Sequence, residues 1–205
     1  MAQITSLEAL RRHIPAPNAV TKMKVLDHLD EQARAFITRS PFLVLSTVGE
    51  NGAVEVSPKG DEAGFVSVED DRTILIPDRN GNNLAFGMLN ILENPEIGMI
   101  FLAPGTGETL RVGGTASIRD DADVCARLSS RGRPAKLFMQ IAVKRAYFHC
   151  ARAILRAGLW QTETWPQPPM KVSFGKIFQK LMKAEDSIVK QIDDDVHAAY
   201  RPENL

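Results

Sequence analysis

The residue types that could do chemistry are densest in Asp78-Arg79-Asn80-Gly81-Asn82-Asn83-Leu84, a polar run between a strand-like apolar segment and a helix-like one. Backbone N–H groups at a helix start lack intrahelical partners and attract anions, and Arg79 adds a full positive charge. The side-chain amides of Asn82 and Asn83 are further donors. A phosphate suits such a loop; the same residues also suit an ordinary capped turn. Lys59 and Arg111 are the other cations of interest. Each lies in or beside an apolar run, where a long cation needs water, a carboxylate or an anionic ligand. An outward-facing strand position would satisfy either one equally well.

Four other groups invite chemistry and do not sustain it. His149-Cys150 has no base, orienting carboxylate or further ligand at a recognisable spacing, so packing at a strand–helix junction explains it. Gly105-Thr106-Gly107 lacks a following Gly-Lys-Ser/Thr and reads as a turn. Asp193-Asp194-Asp195 lies on a helix, where adjacent carboxylates point in different directions, and is expected to be a solvated helix end. Trp160 and Trp165 flank Gln-Thr-Glu-Thr and suit an interface or a core alike.

The elements that must position these groups follow from periodicity. Val25, Leu26, Leu29, Ala33, Phe36 and Ile37 recur at spacings of three and four, predicting a helix from Met23 to Thr38. Pro41 to Val48 and Ala53 to Ser57 form a hairpin across Asn51-Gly52. Pro58 has no N–H and is expected to end or bulge the second strand, aiming Lys59 off its end. Gly64 to Val68 and Thr73 to Ile76 make a second hairpin, whose last strand runs into the loop from Pro77. A helix carrying Leu84, Met88, Ile91 and Leu92 follows and stops at Asn94-Pro95. Strands are predicted at Ile97 to Leu102, Thr109 to Ile118 and Leu137 to Phe148. Helices are predicted at Ala122 to Ser129, Ala151 to Leu159 and Phe174 to Val196. Strands at hairpin spacing with helices between them imply a mainly β fold, an antiparallel barrel with peripheral helices.

Bulk composition bounds the function. A chain of 205 residues with 44% hydrophobic and 24% charged residues can bury one domain. We divide it into an N-terminal arm (1–22), a barrel domain (23–165) and a C-terminal helical extension (166–205). With 25 basic and 25 acidic residues the net charge is zero, which argues against a nucleic-acid partner. Two cysteines, Cys125 and Cys150, support neither a disulfide framework nor a zinc site. With no signal-peptide core and no run of about 18 apolar residues, a cytoplasmic protein without a membrane partner is expected.

In order along the chain, Phe42-Leu-Val-Leu-Ser-Thr-Val48, Val56-Ser-Pro-Lys-Gly-Asp61, Ile76-Pro-Asp-Arg-Asn-Gly-Asn-Asn83, Asn90-Ile-Leu-Glu-Asn-Pro95 and Leu110-Arg-Val-Gly-Gly-Thr-Ala116 resemble the pyridoxamine 5′-phosphate oxidase-like flavoproteins. These are FMN-binding split β-barrels, and Phe148 through Trp160 is similar to the C-terminal segment of one subgroup. The resemblance implies a homodimer with FMN at the subunit interface. It implies that Ser57 and Lys59 reach the cofactor from a strand end and that Asp78, Arg79, Asn82, Asn83 and Leu84 cradle its phosphate. Arg111 is implied to lie near the cofactor, with Arg152 and Trp160 supplied by the partner subunit.

Vitamin B6 oxidation is not implied. The true oxidases grip substrate with an Arg-x-His element near the C-terminus, and the corresponding tail here reads Val196-His-Ala-Ala-Tyr-Arg-Pro202. The resemblance supports an FMN-dependent oxidoreductase acting on a small molecule, its catalytic residues unassigned because the flavin carries the reaction. The alternatives are a non-catalytic flavin-binding sensor or carrier, a dimeric interaction protein that has lost flavin, and a site holding a deazaflavin or haem in place of FMN.

Overall fold

Alternation of apolar and polar residues builds the fold from strands, and one antiparallel sheet contains them all. The computed structural model describes residues 3–81 and 83–204. They fall into two units, 1–160 and 161–205. The first contains helices α1 (Leu7–Arg11), α2 (Ala19–Met23) and α3 (Glu31–Arg39), strands β1 (Phe42–Val48), β2 (Val54–Gly60), β3 (Ser67–Val68) and β4 (Thr73–Asp78), and helix α4 (Phe86–Glu93). It continues with β5 (Glu96–Leu102), β6 (Thr109–Arg119), α5 (Ala122–Arg127), β7 (Leu137–His149) and α6 (Arg152–Ala157). The sheet order is β2-β1-β5-β6-β7-β4-β3.

Alternate residues of each strand face inward, as a pleated strand requires. Leu43, Leu45, Phe101, Leu110, Ile74, Ile76, Met139 and Ile141 are almost wholly buried and form one cluster with Leu29 and Ile37. Two ion pairs close this sheet. Lys59 of edge strand β2 reaches Asp78 of β4 at 3.1 Å, and Arg79, just past β4, reaches Asp61, just past β2, at 2.8 Å. Because β3 is two residues long, the end of β4 is left open to β2. The result is the mainly β, antiparallel split barrel with peripheral helices that the sequence implies.

Several elements depart from the sequence expectation, each for a local reason. The helix expected over Met23 to Thr38 begins at Glu31, because the Asp30 carboxylate accepts the Ala33 N–H at 2.8 Å and caps it there. Leu26 instead bridges Ala146 through reciprocal backbone hydrogen bonds of 3.0 and 2.8 Å. Pro58 neither ends nor displaces β2, since an edge strand tolerates a missing donor, and Lys59 lies within the strand. Pro77 and Asp78 belong to β4 and pair with Phe138 and Leu137, beyond the reach of short β3.

The Asp27 carboxylate, joined to His28 at 2.9 Å and Arg72 at 2.8 Å, is held at a pKa of about 2 by those two hydrogen bonds and by the guanidinium charge. A depressed carboxyl pKa stabilises the fold above the unfolded value near 3.8, and that contribution fades as pH falls from there towards 2. Arg72→Ala is expected to raise the Asp27 pKa towards 3.8, read from its carboxyl shift in an NMR titration. An unchanged titration would remove Arg72 as a cause.

The second unit holds α7 (Phe174–Met182) and α8 (Ser187–Ala199), where one helix over Phe174 to Val196 was expected. The left-handed conformation of Lys183, φ 51°, stops the first helix. Asp193 is more than a solvated helix end: its carboxylate accepts from Ser173 Oγ at 2.6 Å and from the Gly175 N–H at 2.8 Å, which ties α8 to the start of α7. Among the described residues, no helix is long and apolar enough to cross a membrane and no group of acidic, histidine or cysteine residues is arranged to hold a metal ion.

Candidate cofactor site at the barrel seam

Period-two geometry puts Ser57 and Lys59 on the same, inward face of β2. Both are half-buried while their neighbours Val56 and Pro58 are exposed. Lys59 pairs with Asp78 across the seam, the two side chains being 12% and 11% exposed. Ser57 and Thr47 face Gly87 in the first turn of α4, where an added Cβ would stand 3.9 and 3.6 Å from their hydroxyl oxygens. The seam opens into a cleft of about 330 Å³ bounded by Lys59, Gly60, Phe65, Asp78, Arg79 and Gly81.

Arg79 is held from two sides. Its Nε donates to Asp61 Oδ2 and one terminal nitrogen donates to the Leu128 carbonyl, each at 2.8 Å. Ser130 Oγ donates to the other oxygen of Asp61 at 2.8 Å. Burial pushes the Asp61 carboxyl up, but hydrogen bonds from Ser130, the Glu62 N–H and Arg79 outweigh it and leave the pKa below the ordinary value. The bracket fixes the guanidinium plane and leaves its second terminal nitrogen uncommitted among the described residues. Lys59 likewise has donors beyond the one given to Asp78.

Beyond Arg79 the chain turns into α4 through Ala85, which holds the N-cap in a left-handed conformation, φ 50° and ψ 19°, uncommon for a residue with a Cβ. An alanine offers no side-chain acceptor to the first-turn N–H groups. Asn83 and Leu84 are exposed beside it, and Asn82 lies outside the described residues. The chemistry available is anion binding: two anchored cations, Lys59 and Arg79, and the Asn80-Gly81 turn line one cleft.

The remaining expected site residues lie elsewhere. Arg111 is on the opposite face of the sheet from Lys59, since Leu110 and Val112 on either side of it point into the core. Arg152 is exposed at the start of α6, and the Trp160 indole donates to the Thr106 carbonyl at 2.7 Å in the turn between β5 and β6. That turn borders a wider cavity of about 630 Å³ beside Phe36 and Phe148, whose rings meet edge to face. The sequence reading missed the roles of Ser130 and of the Leu128 carbonyl. Their separations of 69 residues from Asp61 and 49 from Arg79 carry no local signal.

Comparison with known protein families matches residues 29–150 to pyridoxamine 5′-phosphate oxidase, which is more than half of the chain. The chain belongs to the pyridoxamine 5′-phosphate oxidase family. The match includes β1 to β7 and the seam and ends before Arg152 and Trp160. No curated protein matches the chain. Among solved structures it is similar to HupZ of Group A Streptococcus, with 20% identity over 58% of this chain and 92% of that one and a TM-score of 0.48. A protein of Lactobacillus delbrueckii named as a candidate pyridoxamine 5′-phosphate oxidase is 17% identical over 60% and 95% of the two chains, with a TM-score of 0.46. HutZ, the heme storage protein from Vibrio cholerae, is 15% identical over 60% and 94%, with a TM-score of 0.40.

Proposed function

We propose that this chain binds FMN with its phosphate at the barrel seam and acts as a homodimeric, cytoplasmic FMN-dependent oxidoreductase on a small molecule. The observation that carries the reading is the convergence of Lys59 and Arg79, anchored through Asp78 and Asp61, on the cleft before the alanine-capped start of α4. Family membership supports the same choice of ligand. Lys59, Arg79 and the backbone and side-chain amides of Asn82 and Asn83 would hold the phosphate, with Ser57 and Leu84 bordering it. Arg152 and Trp160 would approach the flavin of the other subunit.

When bound, FMN supplies hydride and electron transfer, while this chain supplies binding and orientation. The charges favour a phosphate without an excess of cations: each cation is preorganised by its own carboxylate, so little side-chain freedom is lost on binding.

The purified protein is expected to be yellow and to release FMN, identified by mass, on denaturation, and its bound flavin is expected to bleach with NADH or NADPH. Arg79→Ala is expected to weaken FMN binding by at least about tenfold, the scale of a charge-assisted hydrogen bond. Light scattering of the FMN-loaded protein should return twice the chain mass. Release of haem or a deazaflavin, or no chromophore after incubation with FMN, would overturn the cofactor assignment. Stoichiometric FMN that no reductant and acceptor turn over would leave a carrier or sensor.

A further inference from the structure

Helix α7 carries three lines of side chains, and among the described residues α8 covers one of them. Gly175 and Gln179, four residues apart, face α8: a Cβ on Gly175 would stand 2.2 Å from the Val189 carbonyl oxygen, and the Gln179 amide donates to Asp186 at 2.5 Å. Phe174, Ile177, Phe178 and Leu181 recur at spacings of three and four and form the second line. All four are exposed, Leu181 to 73% and Ile177 to 48%. Lys176, Lys180 and Lys183 form the third line, beside the apolar one and away from Gly175.

Charge is sorted along this part of the chain. Between Glu163 and Glu185 stand four lysines, Lys171, Lys176, Lys180 and Lys183, and no acidic residue. The acids gather at the start and along the length of α8, at Glu185, Asp186 and Asp193 to Asp195. Three of these are committed: Asp186 to Gln179, Asp193 to Ser173 Oγ and the Gly175 N–H, and Asp194 to Lys190. Among the described residues none of the four lysine side chains forms an ion pair. A net charge of zero over the whole chain makes this cluster a local feature, not part of a general basic surface.

We infer that α7 docks the protein on an anionic lipid surface, lying in the plane of the interface. Phe174, Ile177, Phe178 and Leu181 enter the boundary between headgroups and acyl chains, and Lys176, Lys180 and Lys183, with Lys171 just before the helix, meet the lipid phosphates. Neither part suffices by itself. Four apolar side chains on a nine-residue helix give weak, reversible insertion, and the lysines supply the second attraction that holds it. The negative surface answers both features at once, since it offers an apolar layer directly beneath a layer of anions. The helix is about 14 Å long, too short to cross a bilayer. The sequence expectation of no membrane partner rested on the length of apolar runs, which does not register a helix that lies flat.

The test is sedimentation of the full-length protein with vesicles of phosphatidylcholine alone and of equal parts phosphatidylcholine and phosphatidylglycerol, at low and at high salt. The protein should pellet with the mixed vesicles at low salt, far less at high salt, and stay in solution with the neutral ones. Lys176→Gln with Lys180→Gln should weaken binding by about twentyfold, at about fivefold per lysine, while Lys176→Arg with Lys180→Arg should keep it. Phe178→Ser should weaken it as well. Thermal midpoints of the lysine variants should match the parent, because those side chains are exposed and unpaired. No binding to the mixed vesicles would overturn the inference, as would equal binding to neutral ones or glutamine variants that bind as the parent does. A particle mass that falls with Phe178→Ser would also overturn it, by showing that a second copy of the chain covers the apolar line. Because the readout is pelleted protein and not flavin, this result and the FMN assignment stand or fall separately.

Discussion

Gly114→Ala is expected to lower the unfolding free energy by about 3 kcal/mol, the upper end of the usual cost of overpacking. The added Cβ would stand 2.1 Å from the Ala142 carbonyl oxygen and 3.0 Å from its carbon. Both are backbone atoms, so no side chain can rotate away, and β6 and β7 must separate to admit the methyl group. The position is a bulge: Gly113 pairs with Arg145 and Gly114 with Val143, which leaves Lys144 as the extra residue. Gly98→Ala is the matched control, because its Cβ would meet nothing within 4 Å on the adjacent strand. That variant should be neutral or slightly more stable, by up to about 1 kcal/mol, through reduced freedom of the unfolded chain. Urea unfolding followed by circular dichroism, with midpoints compared at constant slope, decides the matter. Equal midpoints for the two variants would refute the role of the close approach.

Lys59→Met should cost about 2–4 kcal/mol, because it strands the nearly buried Asp78 carboxylate without its partner. The loss comes mainly from the charge left behind, not from the pair's own attraction. Lys59→Met with Asp78→Leu is therefore expected to recover stability to within about 1 kcal/mol of the parent, since an apolar pair of similar shape replaces an ion pair at little cost. Under the proposed function, FMN content behaves differently: it should fall in the single variant and stay low in the stable double variant. A double variant that regains both stability and flavin would show that Lys59 closes the barrel and does not hold the cofactor. One that regains neither would point to a seam needing this ion pair for its geometry.

The strands and turns were legible because their signals are local. Leu43 and Leu45 alternate with outward-facing residues, Asn51-Gly52 allows the positive φ of 77° at Gly52, and Asn94-Pro95 stops α4 where a proline must. The start of α3 was misplaced because periodicity continued through Val25 and Leu26, while an Asp30 cap and a backbone bridge to Ala146, 120 residues away, set the boundary. The break at Lys183 is a left-handed residue with no glycine to announce it.

For the candidate site the division is similar. By itself the sequence determined that Asp78 to Leu84 is a polar loop between a strand and a helix, with Lys59 on an earlier strand, because residue type and hydrophobic period are properties of short segments. Only the tertiary structure decided that Lys59 faces Asp78, that Asp61 and the Leu128 carbonyl grip Arg79, and that Arg111 looks out from the other face with Arg145. Those outcomes depend on sheet closure and on strand register, where a shift of one residue would turn every side chain to the opposite face.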